Sequence, residues 1–381
     1  MVSHAYLGTI ARAPNLTLVA LASRTTGSAS AQAGRYGGTA MPIHDLLADP
    51  GIDIVVNLAP PDVHHAIGRR VLEAGKHLYS EKPFATRIDD ARDLLSVAEA
   101  NGLKIGCAPD TFLGPGHQAV RQLIDNGAIG QVTGGAIAFG TAGMESWHPN
   151  PAFFYAPGGG PLLDVGPYYV TQLVNLLGPG TEVVAIGTRP RATRTVTAPG
   201  SGGESITVEV PTTVNGALLF ANGANISLAM SWDVTAHGRR PIELYGAGGS
   251  LQAPDPNQFS GATRLNEGND WRTIGDEPPP RKLDAATIAA ALQKMGQGID
   301  PLTGGPIGPE TAFRFGDSRG LGLLDLAAAI KEGRAPRASG QLAAHVLETL
   351  LALEASANGA GRIAIKSRVD RPEPMPSGEN K

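Results

Sequence analysis

Ala74-Gly75-Lys76-His77-Leu78-Tyr79-Ser80-Glu81-Lys82-Pro83-Phe84 is the stretch on which the reading of this chain turns. An apolar-patterned helix stops at Gly75, because glycine has no Cβ to resist the left-handed conformation that closes a helix. A short strand follows, and Pro83 ends it by removing a backbone donor from the ladder. Lys82 therefore stands at the carboxyl end of a strand. In an open α/β sheet the crevice outside those strand ends receives cofactors and substrates. A lysine held there loses solvation and falls in pKa toward a useful acid/base range, whereas on an open surface it is one more solvated cation; the stretch alone admits both.

On the amino side, Asp53-Ile54-Val55-Val56-Asn57-Leu58 is a continuous apolar run of the kind found in buried parallel strands. The turn at Pro60-Pro61 leads into a helix over about 63–74 that carries His64 and His65. Farther upstream, Val2, Ala5, Tyr6, Leu7 and Ile10 give residues 1–13 a helical spacing that ends before Pro14. Leu16 to Ala22 alternates and predicts a strand ending at Ser23-Arg24. Residues 29–36 and 42–48 read as helices, 89–101 as a helix closed by Gly102, and 103–107 as the last strand of a first domain. This βαβ rhythm predicts a Rossmann-like α/β domain over residues 1–108. A carboxylate at the second strand end would hold the ribose hydroxyls of NAD, while the hydroxyl and guanidinium of Ser23-Arg24 suit the 2′-phosphate of NADP. A plain surface arginine fits the same residues. Such a domain ordinarily opens with a strand and a Gly-x-Gly-x-x-Gly turn, and the sequence shows neither ahead of its first helix.

Beyond a helix at 116–126, the segments near 132–139, 183–189, 205–210, 213–220, 224–233, 241–245 and 250–252 alternate apolar and polar residues. They predict an open, largely antiparallel sheet in an α+β domain over 109–367, with one sheet face left for solvent or a partner. Residues 322–330 and 341–357 read as helices, 197–204 and 278–280 as connections, and 368–381 as a disordered polar tail. Gly158-Gly159-Gly160 and Gly246-Ala247-Gly248-Gly249 lack phosphate-binding spacing and serve turns. The first cluster launches a helix whose Asp164 and Tyr168 lie four residues apart on one face, where two polar groups can point into a site. Charge complementarity at a helix start and amphipathic packing account for the same pair. Trp147-His148 joins a flat apolar face to an imidazole, which suits a sugar ring or, equally, a packed Trp beside a solvated His.

The 381 residues, 42% of them hydrophobic, suffice for two cores. A net charge of -4 and a pI near 6.1 offer no attraction to nucleic acid. Cys107, the single cysteine, excludes an internal disulfide and multi-cysteine metal clusters, and reads as a small buried apolar residue of a reducing, cytoplasmic compartment. No apolar run is long enough to span a bilayer. The nine histidines are scattered without ligand spacing, which disfavours a metal hydrolase, so no metal is expected.

The Ala-Gly-Lys-His run with Glu81-Lys82-Pro83, preceded by Pro60-Pro61-Asp62-Val63-His64, resembles the nucleotide-binding half of the glucose-fructose oxidoreductase/inositol dehydrogenase/rhizopine-catabolism (Gfo/Idh/MocA) family. A second block, Gly158-Gly159-Gly160-Pro161-Leu162-Leu163-Asp164-Val165-Gly166-Pro167-Tyr168-Tyr169, lies about where that family places it, so the resemblance spans nearly the whole chain. It implies a cytoplasmic NAD(P)-dependent oxidoreductase acting on a secondary alcohol or ketone of a sugar, cyclitol or related polyol, in a site between domains. Lys82, Asp164 and Tyr168 would be catalytic, with Tyr168 standing where the family usually has histidine. A phenol beside an ammonium can take that place as proton acceptor or as hydroxyl binder. Ser3, Ser23, Arg24, Pro60, His64, Glu81 and Lys82 would meet the cofactor, NADP rather than NAD through Arg24, and Trp147 and His148 the substrate. For His64 a cap or local hydrogen bond is the competing role. A homodimer or homotetramer through the second-domain sheet is implied as well. Pro109-Asp110-Thr111-Phe112-Leu113 departs from the family's Arg- or Tyr-rich turn and leaves the substrate open. Helix Ser3-His4-Ala5-Tyr6-Leu7 would put Met1 inside the glycine turn, hence the expectation of a misassigned start with about a dozen further in-frame residues. Two other readings remain: an impaired or regulatory binding protein, and a same-fold reductase of a non-carbohydrate substrate.

Overall fold

The computed structural model describes residues 2–148, 150–198, 200–268, 270–275 and 319–376, with the single positions 290, 294 and 299. The expected connection at 278–280 lies outside them. The chain divides into two units. The first opens with α1 (Ser3–Arg12), β1 (Ala20–Leu21), α2 (Thr26–Tyr36), β2 (Thr39–Ala40), α3 (Ile43–Ala48), β3 (Ile54–Asn57), α4 (His64–Glu73), β4 (His77–Ser80), α5 (Ile88–Ala100) and β5 (Ile105–Cys107). Strands β3, β4 and β5 lie side by side and parallel, with Val56 opposite Tyr79 and Tyr79 opposite Gly106. Parallel neighbours need crossovers, which α4 and α5 supply. The strand expected over 16–22 pairs only at Ala20–Leu21, in parallel with β2.

The second unit begins with α6 (Pro115–Asp125), β6 (Val132–Gly140) and α7 (Gly160–Leu177). It continues with β7 (Gly180–Thr188), the small hairpin β8 (Thr193–Thr195) and β9 (Ser205–Thr207), then β10 (Thr213–Phe220), β11 (Asn225–Ser231), β12 (Ile242–Gly246), β13 (Gly249–Ala253), β14 (Thr263–Asn266) and β15 (Arg272–Ile274). The chain then forms α8 (Leu321–Glu332), α9 (Gly340–Ala355) and β16 (Ile363–Ala364). A nine-stranded sheet runs in the order β15-β14-β13-β12-β6-β11-β10-β7-β16. Its ladders are antiparallel except between β6 and β11. The alternation read from sequence holds: along β10, Val214, Leu218 and Phe220 are buried while Asn215 is exposed. Strands β8, β14, β15 and β16 are too short to carry a period that sequence reading can detect.

Two domain expectations are corrected. The first unit does not end at residue 108, because residues 319–344 belong to it. Leu323 and Leu326 of α8 share a core with Tyr6, Ile10 and Tyr79, and the buried Asp110 carboxylate accepts the amides of Gly320 and Gly322, at 2.8 and 2.9 Å, where α8 begins. An acceptor there satisfies orphan donors of the helix start. Gly322 is glycine for a steric reason: an added Cβ would stand 2.5 Å from the Tyr79 hydroxyl. The expected disordered tail is also ordered from 368 to 376. Arg371 donates to the Asn175 carbonyl at 2.7 Å and meets Asp125 at 2.6 Å, Arg121 donates to the Pro372 carbonyl at 2.8 Å, and the Met375 amide to Gln118 at 2.8 Å. Specific polar partners on α6 and α7 thus hold a segment whose composition alone predicts none. Residues 377–381 lie outside the described ones.

Candidate active site

In the first unit the site is built at the carboxyl edge of the parallel strands. Because β3 and β4 run parallel, Ala59-Pro60 and Glu81-Lys82 leave the sheet at the same edge. Lys82 is half-buried. Glu81, 8% exposed, is fixed from three directions: its amide donates to the Asn57 carbonyl at 2.9 Å, its Oε2 accepts the Lys82 amide at 2.9 Å, and its Oε1 accepts the Tyr6 hydroxyl at 2.8 Å. Burial, then the Glu81 charge, raises the pKa of Tyr6, so it stays a donor. His64, 1% exposed, has Nδ1 2.6 Å from the Pro83 carbonyl and Nε2 2.7 Å from the Ala59 carbonyl.

The His64 ring nitrogens lie against two backbone carbonyls and the Glu81 carboxylate accepts Tyr6 and the Lys82 amide, so both residues brace the Lys82 loop, which is the local role open to His64. Ser3 is the first residue of α1, whose start has no side-chain cap. Ser23 and Arg24 are exposed just past β1, and Pro60 is exposed in extended backbone before the turn Pro61–Val63. A helix start, a hydroxyl and a guanidinium are each donors of the kind that can meet a dinucleotide's phosphates. Cys107 is buried, and burial pushes its thiol up, with Glu81 and Asp110 adding to the shift.

In the second unit, Gly160 takes φ +86° as α7 begins, and the helix carries half-buried Asp164 and, one turn on, Tyr168 at 7% exposure. The structure brings His148 into this neighbourhood: burial lowers its pKa, while the Asn150 amide and the Asp164 charge oppose the shift. Trp147 stands edge-on to His148 at 5.4 Å, with Phe153 and Phe154 at 5.6 and 5.0 Å from the same ring. Sequence reading missed what anchors this loop. Arg194 of β8, with its side chain 1% exposed, pairs with Glu145 at 2.7 Å and Asp233 at 2.5 Å and donates to the carbonyls of Ala142 and Trp232. The Tyr155 hydroxyl donates to Glu145, and the hydroxyls of Thr212 and Thr213 donate to Asp233. The partners lie 49 and 39 positions from Arg194, so no local pattern could reveal them. The structure puts Lys82 in the first unit and Asp164, Tyr168, Trp147 and His148 in the second. Among the described residues no group of three or more His, Cys, Asp or Glu could hold a metal ion, and no helix is long and apolar enough to cross a membrane.

Residues 2–108 match the model of the oxidoreductase family with an NAD-binding Rossmann fold, and residues 117–252 that of the GFO/IDH/MocA C-terminal domain. An uncharacterized oxidoreductase of Schizosaccharomyces pombe is 31% identical over 147 residues, 38% of this chain and 39% of the relative. A dTDP-3,4-didehydro-2,6-dideoxy-alpha-D-glucose 3-reductase of Streptomyces violaceoruber is 31% identical over 218 residues, 56% of this chain and 61% of the relative. The chain thus spans less than two thirds of the length of either. A crystal structure of an NAD binding oxidoreductase from Klebsiella pneumoniae shares the fold, with a TM-score of 0.73 at 20% identity over 96% of this chain and 95% of that one. Two family models matched in order, one on each unit, show that the chain belongs to the Gfo/Idh/MocA family of oxidoreductases.

Proposed function

We propose that this protein is an NAD(P)-dependent oxidoreductase that interconverts a secondary alcohol and a ketone on a sugar, cyclitol or related polyol. The observation that carries the reading is the braced Lys82 loop at the carboxyl edge of β3 and β4, in a chain whose family binds NAD in this domain. The relative from Streptomyces violaceoruber, named as a reductase of a dTDP-linked keto sugar, supports a carbohydrate substrate. A bound nicotinamide would supply or accept the hydride. Ser3, Ser23 and Arg24 would hold its dinucleotide, with Arg24 favouring NADP. Lys82 would give a proton to the carbonyl oxygen in reduction and take it from the hydroxyl in oxidation. Asp164 and Tyr168, one turn apart on α7, would orient that oxygen, and Trp147 would lie against the ring. Because the Lys82 backbone is held by Glu81 and by the His64 contact to Pro83, only the side chain needs ordering when substrate binds. We further propose that the protein works in the cytoplasm and self-associates through the outer face of the nine-stranded sheet, where Val184, Ile186 and Tyr245 are 43, 74 and 42% exposed.

The test is Lys82→Met, assayed by NAD(P)H oxidation against a panel of keto sugars, nucleotide-linked and free. A general acid/base contributes about 10²–10⁴-fold, so turnover should fall by that factor with cofactor affinity unchanged. A variant keeping more than roughly a tenth of wild-type kcat with the same pH profile would remove Lys82 from the chemistry.

A further inference from the structure

We propose that Tyr6 is a positioning residue for Lys82, acting through Glu81 to tie the end of β4 to helix α1. The inference rests on the reading of Lys82 as the proton-handling residue. Tyr6 lies on α1, 75 positions before Glu81, and is fully buried. Its neighbours in the core are apolar or aromatic: Ile10, Leu323, Leu326 and Tyr79, whose ring centre is 5.8 Å away. A phenylalanine would fill that volume equally well, so packing does not account for the hydroxyl. The hydroxyl donates to Glu81 Oε1 and also interacts with the buried Tyr79 hydroxyl, and the other oxygen of the same carboxylate holds the Lys82 amide. Both bonds are charge-assisted, and together they set the torsion of the Glu81 carboxylate and hence the place of the Lys82 backbone.

A buried carboxylate that loses one of two donors turns toward whatever donor remains or draws in water. Either response relaxes its hold on Lys82. The other end of the link matters too: α1 begins at Ser3, among the residues assigned to the cofactor, one turn before Tyr6. Helix, carboxylate and lysine therefore form one connected unit, in which the lysine's position is set relative to the cofactor helix rather than by the loop alone.

The experiment compares Tyr6→Phe, Glu81→Gln, the double variant and Lys82→Met in the full chain. It measures kcat, KM, the pH profile of kcat and the dissociation constant of NADPH by fluorescence titration. Misplacing a reacting group by a fraction of an ångström costs on the order of tenfold, so Tyr6→Phe should lower kcat about tenfold. NADPH affinity should stay within about twofold, which also reports an intact fold, and the ionisation assigned to Lys82 should shift in the pH profile. On the Glu81→Gln background Tyr6→Phe should lower kcat little further, since its route to Lys82 runs through that carboxylate. A wild-type kcat in Tyr6→Phe, or losses that multiply in the double variant, would overturn the proposal. Activity surviving in Lys82→Met would instead remove the reading on which it rests, so the two failures are told apart.

Discussion

Replacing Arg194 by Met should destabilise the second unit by about 3 kcal/mol, toward the lower end of the 3–5 kcal/mol typical of a broken buried ion pair. The Arg194 side chain is 1% exposed, and its carboxylate partners on Glu145 and Asp233 are 10 and 12% exposed. Methionine fills much of the volume, so the cavity contribution is small, but both carboxylates keep their desolvation cost and lose their cation. The carbonyls of Ala142 and Trp232 lose a donor as well, at about 1–3 kcal/mol for a group left unsatisfied. Against this, Asp233 retains the Thr212 and Thr213 hydroxyls at 2.6 and 2.9 Å and Glu145 retains Tyr155, which is why the lower end is expected. With a urea m-value near 3 kcal/mol/M for a unit of this size, the midpoint should fall by about 1 M. Emission of Trp232, fully buried in the cluster that Arg194 borders, reports the transition. Arg194→Lys keeps the charge but not the fork, and should fall between the two. A midpoint shift under roughly 0.3 M for Arg194→Met would mean the network is solvated in solution and does not hold the loop that carries Trp147 and His148.

Three further outcomes follow from single residues. His117 is fully buried, donates from Nε2 to the Gln258 carbonyl at 2.8 Å, and burial lowers its pKa to about 4. Its folded pKa lies below the unfolded value near 6.5, so stability present above pH 6.5 is lost as pH falls toward 4, by about 2 kcal/mol at pH 5; His117→Gln should flatten that slope in urea titrations at pH 7 and 5. Gly106→Ala would set a Cβ 2.7 Å from Tyr79 Cδ2 and 3.3 Å from Leu326, an overpacking that should cost about 1–3 kcal/mol in thermal unfolding; an unchanged midpoint would show that α8 moves freely over β5. Arg24→Ala should weaken NADP binding roughly tenfold to a hundredfold and leave NAD almost untouched, and equal losses for both would show that Arg24 supports the fold.

The parallel core was legible because buried strands such as 54–57 are short apolar runs bounded by Gly and Pro, and their crossover helices carry full periods. The last helices were legible for the same reason, but their allegiance was not. Nothing in Leu321–Glu332 says which core its Leu323 and Leu326 fill, since that depends on Asp110 and Tyr79 far away. Lys82, Asp164 and Tyr168 could be singled out because each sits in a local block with a strand end or helix start to fix it. Tyr6, Arg194 and the partners of the segment ending at Met375 could not, because their meaning lies in contacts across 75, 49 and 257 positions. The strand expected at 16–22 failed more simply: alternation measures amphipathicity, and only Ala20 and Leu21 find a ladder partner.

The bond from Gly322 to Asp110 spans 212 positions, and its consequence concerns the order in which the protein can be made. Ribosomes add about 5–20 residues per second, so on the order of 10–40 s pass between the emergence of Asp110 and that of α8. Through that interval Tyr6, Ile10 and Tyr79 lack the leucines that cover them, and the Asp110 carboxylate lacks the amides that satisfy it. The amino-terminal unit cannot finish folding before residues 321–326 have been synthesised, whereas every described strand of the long sheet but β16 precedes them in sequence, by residue 274. Nascent chains released just short of α8 should therefore be captured by chaperones through the amino-terminal unit, reversing the usual sequence in which the first-made domain is the first to be safe.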